Sequence, residues 1–236
     1  GYSLDLKGSE YYTIYIRNIK SGNLVTEKIE ETSGSIEFSL DDKYIFYSKL
    51  DKNHRAKTIF LHKIGAPQKL DKLIYQEKID RFSVSIYPTS DEKFFIISSG
   101  DHSTNKCYYL NSSLKSFKLN LFKDFKENIT YSLDSWNGYF YNHTNDNAVD
   151  FKIERASHSS INKVKFFVPP KKDTIIGSYL ILNDWFIWSE TKNANQKIFI
   201  TNFSSNIIRE IDFFKEPIKS LSISTYEKNK KSDYIY

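Results

Sequence analysis

Short runs of alternating apolar and polar residues fill this chain, and they return at a fixed interval. Five runs stack in register: TIYIRN at 13–18, TIFLHK at 58–63, KCYYLN at 106–111, DFKIER at 150–155 and KIFITN at 197–202. A second set interleaves with them: KYIFY at 43–47, KFFII at 93–97, GYFYN at 138–142, DWFIW at 184–188 and SDYIY at 232–236. The interval is roughly 45 to 50 residues. Alternation over a few residues is the period of a half-buried strand. Repeats of that length built only of short strands predict an all-β fold, a β-propeller with one four-stranded blade per repeat.

Each unit reads as strand, tight turn, strand, loop, strand, turn, strand. In the second unit these are SIEFS at 35–39, KYIFYSKL at 43–50, KTIFLHKI at 57–64 and KLIYQE at 72–77. Asp41-Asp42, Ser90-Asp91, Asn137-Gly138 and Asn183-Asp184 supply turn chemistry between first and second strands. The second strands are apolar on both faces, as a central strand between two neighbouring blades requires. Phe122 to Glu127 reads as one short turn of helix. The units divide into a partial blade at 1–34, blades at 35–81, 82–128, 129–173 and 174–217, and a partial blade at 218–236. Residues 11–30 supply the last two strands of a blade and 218–236 the first two. The two halves either pair into a fifth blade, or the chain is an arc of a larger propeller with apolar faces and unpaired edges at its ends.

Composition fits strands. Aromatics are 16% of residues, with 17 Tyr and 18 Phe against 8 Gly and 5 Pro, and Tyr, Phe, Ile and Thr favour pleated surfaces. The net charge of +5 is mild and its signs are interspersed. A nucleic-acid reader would gather its basic residues on one face, so no nucleic-acid partner is expected. The densest basic cluster, Lys228, Lys230 and Lys231, reads as a solvated turn. Apolar runs such as Tyr179 to Leu182 are far too short to span a bilayer, so no membrane partner is expected. Cys107 is alone, which removes any internal disulfide, and the setting expected is cytoplasmic. Asn128 and Asn142 open Asn-x-Thr triplets that read as accidental. The sequence contains no Met, which predicts that Gly1 is the edge of a processed, excised or truncated segment.

The loops carry a resemblance. Asp51-x-Asn53-His54-Arg55, His62-x-x-Gly65, Asp71-x-Leu73-Ile74-Tyr75-x-Glu77, Asp80-Arg81-Phe82-x-Val84-Ser85 and Ser99-Gly100-Asp101-His102-x-Thr104 follow one another in order. They resemble the propeller domain of the oligopeptidase B (protease II) branch of the prolyl oligopeptidase family. YSLDLKGSEYYTIYIRNIKSG at 2–22 precedes this block, and Tyr131-Ser132-Leu133-Asp134 and Asp150-Phe151-Lys152-Ile153 continue the register. The match is densest over 50–104 and thin after about 190. The resemblance implies an arc of about five blades from a seven-bladed propeller left unsealed between its first and last blades. It also implies a partner, an α/β-hydrolase domain whose Ser–Asp–His triad cleaves short peptides after Arg or Lys, with the propeller as gate and size filter.

Chemistry of its own is not visible in the chain. A nucleophile elbow needs Gly-x-Ser-x-Gly, and no such string occurs; Ser33-Gly34-Ser35 and Ser98-Ser99-Gly100 lack its context. No catalytic residue is therefore assigned, and no cofactor. His54, His102 and His143 fall in or beside loops joining second to third strands. They occupy successive blades about 10 Å apart, whereas zinc ligands converge to about 2 Å from one ion; no metal site is assigned. Asn53, His54, Arg55, Asp101 and His102 are the polar groups singled out. They either stabilise their loops and pair across adjacent blades, or meet the hydrolase domain or line the peptide's entry, with Arg55 and Asp101 in ion pairs that hold a closed state. Trp185 and Trp188, three apart on one strand, point to opposite faces as packing residues. The reading reached is the gating propeller of an oligopeptidase B-like serine peptidase, inactive alone. The alternative is a stand-alone interaction module, or the product of a split or decayed peptidase gene.

Overall fold

Strand-forming sequence dominates, and a computed structural model shows strands throughout the residues it describes, 1–25, 28–205, 207–212 and 221–224. The expected strand at 232–236 and the Lys228, Lys230 and Lys231 turn lie outside those residues. The chain divides into two compact units, Gly1–Thr130 and Tyr131–Tyr236.

In the first unit, six strands form one sheet in chain order: β1 (Tyr2–Leu4), β2 (Tyr12–Tyr15), β3 (Ile29–Phe38), β4 (Tyr44–Leu50), β5 (Ala56–Lys63) and β6 (Lys72–Gln76). The next four, β7 (Ser83–Pro88), β8 (Phe94–Gly100), β9 (Asn105–Asn111) and β10 (Asn120–Lys123), form a second sheet. The second unit holds two more four-stranded sheets. One comprises β11 (Tyr131–Trp136), β12 (Tyr139–Thr144), β13 (Lys152–Ser157) and β14 (Lys165–Val168). The other comprises β15 (Ile175–Ile181), β16 (Trp185–Lys192), β17 (Asn195–Asn202) and β18 (Ile208–Glu210). All pairings are antiparallel between successive strands.

The expected second strands are β4, β8, β12 and β16, and they are buried on both faces. Ile45, Phe46 and Tyr47 of β4 are 0–1% exposed, and Phe95, Ile96 and Ile97 of β8 are all 0%. Phe46 packs with Ile59, Val84, Phe95 and Leu110 on one side, its ring centroid 4.7 Å from that of Phe95. Ile45 and Tyr47 pack with Ile14, Ile16 and Ile29 on the other. In the second unit Tyr141, Ile153, Phe186 and Trp188 share one cluster. Trp188 lies in that cluster and Trp185 in a different one with Leu182 and Ile187, as the alternation requires. Each such aromatic, fully removed from water, contributes about 1.5–3 kcal/mol before its ordering cost.

Turn chemistry repeats with the strands. Ser39 Oγ donates to Asp41 Oδ1 (2.8 Å), which accepts the Lys43 amide, while the Tyr44 amide donates back to Ser39 Oγ (3.0 Å). Thr89, Asp91, Lys93 and Phe94 repeat the arrangement one blade later. The residue after each carboxylate, Asp42 or Glu92, takes a positive φ. Asn137 and Gly138 both have positive φ, the conformation a two-residue hairpin turn needs.

Three details depart from the sequence reading. The helical turn at 122–127 is absent: Phe122 and Lys123 end β10, which pairs with Cys107, Tyr108 and Tyr109 of β9. Ladder bonding at the sheet edge outweighs a weak local helical preference. The strand expected at 35–39 begins at Ile29, and a register shift between Thr32 and Ile36 lets β3 serve β2 at one end and β4 at the other. A three-residue strand, β1, and a 3-10 turn at Gln68–Leu70 carry no periodicity and are added by the structure.

Candidate functional site

The β4–β5 and β8–β9 loops, 51–55 and 101–104, hold all five residues singled out from sequence. Asp51 organises the first loop, its Oδ1 accepting the amides of Asn53 (2.8 Å) and Arg55 (3.0 Å). His54 takes φ 57°, which turns its ring against Tyr11 (centroids 4.7 Å apart) and brings Nδ1 to 3.7 Å from Glu10 Oε2. Arg55 Nη1 donates to the Asp80 carbonyl. In the second loop Asp101 Oδ1 accepts the amides of Ser103 (3.0 Å) and Thr104 (2.9 Å), and Oδ2 lies 3.2 Å from Arg81 Nη1. The Ser103 amide, the Thr104 amide and then Arg81 hold the Asp101 carboxyl below its usual range. His102 is exposed. A hollow of about 300 Å³ beside Asp101 is lined by Ser83, Ser85, Ser98, Asp101, Asn105 and Thr130, a hydroxyl- and amide-rich wall.

Between the first two sheets runs the crossover 77–82, and no spacing in the sequence marks its contacts. Glu77 is buried at the end of β6. One carboxylate oxygen accepts Tyr75 Oη (2.7 Å) and Ser99 Oγ (2.5 Å) and lies 3.1 Å from Lys106 Nζ; the other accepts the amides of Lys78 (2.8 Å) and Ile79 (2.7 Å). Burial would raise its pKa, but the Ser99 hydroxyl, the Ile79 amide, Tyr75 and Lys106 outweigh that and hold it at about 2. Lys57 Nζ donates to the carbonyls of Ile79 (2.6 Å), Asp80 (2.8 Å) and Phe82 (2.6 Å). Arg81 bridges Asp101 and Glu127, the latter at 2.6 Å. The resemblance pointed to Glu77 and Arg81 as residues without giving them roles. Lys57 and Lys106 have the look of ordinary strand lysines, and no spacing marks them.

Histidine chemistry elsewhere is internal. His62 Nδ1 lies 2.7 Å from Asp71 Oδ1, and Tyr47 Oη donates to Asp71 Oδ2 (2.8 Å), all three buried. Ser135 Oγ and His158 Nε2 are 2.9 Å apart, but Ser135 is 0% exposed and beyond reach of a substrate. His143 Nε2 is 2.8 Å from the Ile176 carbonyl with its ring stacked on Phe151, and burial lowers its pKa. His143 belongs to the second unit, His54 and His102 to the first. Among the described residues no group of three or more His, Cys, Asp or Glu could hold a metal ion, and no helix is long and apolar enough to cross a membrane.

Residues 1–236 match the family described as prolyl oligopeptidase, N-terminal beta-propeller domain. Protease 2 of Moraxella lacunata is 27% identical over 165 residues, which is 67% of this chain and 24% of that protein. Dipeptidyl aminopeptidase BI of Pseudoxanthomonas mexicana is 25% identical over 203 residues, 84% of this chain and 28% of that protein. The structure of oligopeptidase B from Trypanosoma brucei superposes with a TM-score of 0.85 at 21% identity, covering 99% of this chain and 34% of that one. The chain thus spans about a quarter of the length of these curated relatives.

Proposed function

We propose, since the chain belongs to the prolyl oligopeptidase family through its N-terminal β-propeller domain, that it is the gate and substrate filter of an oligopeptidase B-like serine peptidase. The whole enzyme cleaves short peptides after Arg or Lys in the cytoplasm, on catalytic residues carried by a hydrolase domain of the same or a companion chain. Within this reading the blades are 35–81, 82–128, 129–173 and 174–217, flanked by partial blades at 1–34 and 218–236. The loop face bearing Asn53, His54, Arg55, Asp101 and His102 meets the hydrolase domain. The observation that carries the reading is the family match along all 236 residues, and the relative named Protease 2 supports the branch. A propeller over a sequestered site excludes folded proteins by size and excludes bulk water from the reaction.

The test takes the native polypeptide, captured with an antibody against this segment, and records its mass and its hydrolysis of an Arg-amide peptide. The same cleavage sequence inside a folded protein serves as comparison. Expected is hydrolysis of the short peptide alone, by a polypeptide or complex well above 27.8 kDa. Hydrolysis by the 27.8 kDa chain alone, or no hydrolysis by the native species, would overturn the reading; the latter would favour an interaction module or a decayed gene product.

A further inference from the structure

The crossover between the first two sheets of the first unit exposes two basic side chains, Lys78 and Arg81. A connection of this kind is ordinarily where an Arg/Lys-directed peptidase nicks a folded protein. Such enzymes take substrate as an extended strand whose amides and carbonyls are free to pair with the site. Here several of those groups are occupied. Lys57 holds the carbonyls of Ile79, Asp80 and Phe82, and Arg55 also holds that of Asp80. Glu77 holds the amides of Lys78 and Ile79, and the Phe82 amide donates to the Ile79 carbonyl (3.1 Å). The Phe82 side chain is 0% exposed, with its ring edge on Phe125.

We propose that residues 77–82 are a locked strap, and that Lys57 and Glu77 make the bonds after Lys78 and Arg81 unavailable to Arg/Lys-directed peptidases. That the protein thereby resists its own activity rests on the function proposed above; the lock itself does not. Cleavage at the strap requires an opening that breaks both sets of hydrogen bonds together, and its rate follows the population of that opening.

Limited digestion of the protein with trypsin, with cut sites mapped by mass spectrometry, tests this independently of the chain's own specificity. In the wild type, cutting at Lys78 and Arg81 lags far behind cutting at Lys20, an exposed lysine in a turn. Glu77→Gln and Lys57→Met each speed cutting at the strap about ten- to a hundredfold, the loss of a charge-assisted hydrogen-bond set, and leave Lys20 unchanged. Wild-type cutting at Lys78 or Arg81 as fast as at Lys20 would overturn the proposal, as would folded variants with no gain. Should a variant unfold altogether, the buried Lys152 site is cut as well, and the wild-type comparison of strap with Lys20 still decides.

Discussion

Glu77 and Lys106 stand 3.1 Å apart on side chains only 1% and 12% exposed, one at the end of β6 and the other on β9. The pair joins two successive sheets. An isolated buried carboxylate would be costly; this one is satisfied by four further donors, Tyr75, Ser99 and the amides of Lys78 and Ile79.

That arrangement sets an acid limit. The folded pKa of Glu77, about 2, lies below its ordinary 4.5, so its contribution is present in full above pH 4.5 and is lost as pH falls towards 2. Urea unfolding of the wild type should show stability falling across that window. Glu77→Gln should lose about 2–4 kcal/mol at neutral pH and show a shallower acid dependence.

Phe46→Ala should cost about 3–5 kcal/mol, because Phe46 is fully buried against Phe95, Ile59 and Leu110. Thermal unfolding followed by circular dichroism would register it as a lower Tm.

Gly100→Ala tests the loop that carries Asp101. A Cβ at Gly100 would stand 2.2 Å from the Thr104 carbonyl oxygen and 2.6 Å from Asn105 Cα, both backbone. The loop must shift, at about 1–3 kcal/mol, and amide exchange at Ser103 and Thr104 should accelerate because their acceptor, Asp101, moves with it.

Cys107 reports opening. Burial pushes its thiol up to about 12, and it is 0% exposed, so a thiol reagent at pH 8 should label it only through unfolding. Prompt labelling of the native protein would contradict the burial.

Arg81→Ala should change stability by less than about 1 kcal/mol, since its ion pairs are solvent-exposed. The difference between wild type and variant should shrink further in high salt.

The strands that the sequence displays most clearly are those buried on both faces: Ile45-Phe46-Tyr47 and Phe95-Ile96-Ile97 have no polar face to confuse the reading. The turns are legible for a related reason. Ser39 with Asp41 and Thr89 with Asp91 act within six residues, so their chemistry is local. The Glu77 cluster is not legible in the sequence, because Glu77 finds Ser99 22 residues away and Lys106 29 residues away, on strands whose facing register appears only after folding. His54 and Asp101 stand out in the sequence as polar loop residues, but their partners Glu10 and Arg81 lie 44 and 20 residues away, and no spacing pairs them.

The two-sided burial of β4 has a consequence for how the chain could have been assembled or shortened. Phe46 faces one neighbour while Ile45 and Tyr47 face the other, so excising one repeat strips cover from two. Stability in such a stack is a sum of nearest-neighbour contacts. Repeats would therefore be tolerated as additions or losses only when each new junction brings together surfaces that already fit, which favours duplication of whole repeats over piecemeal change.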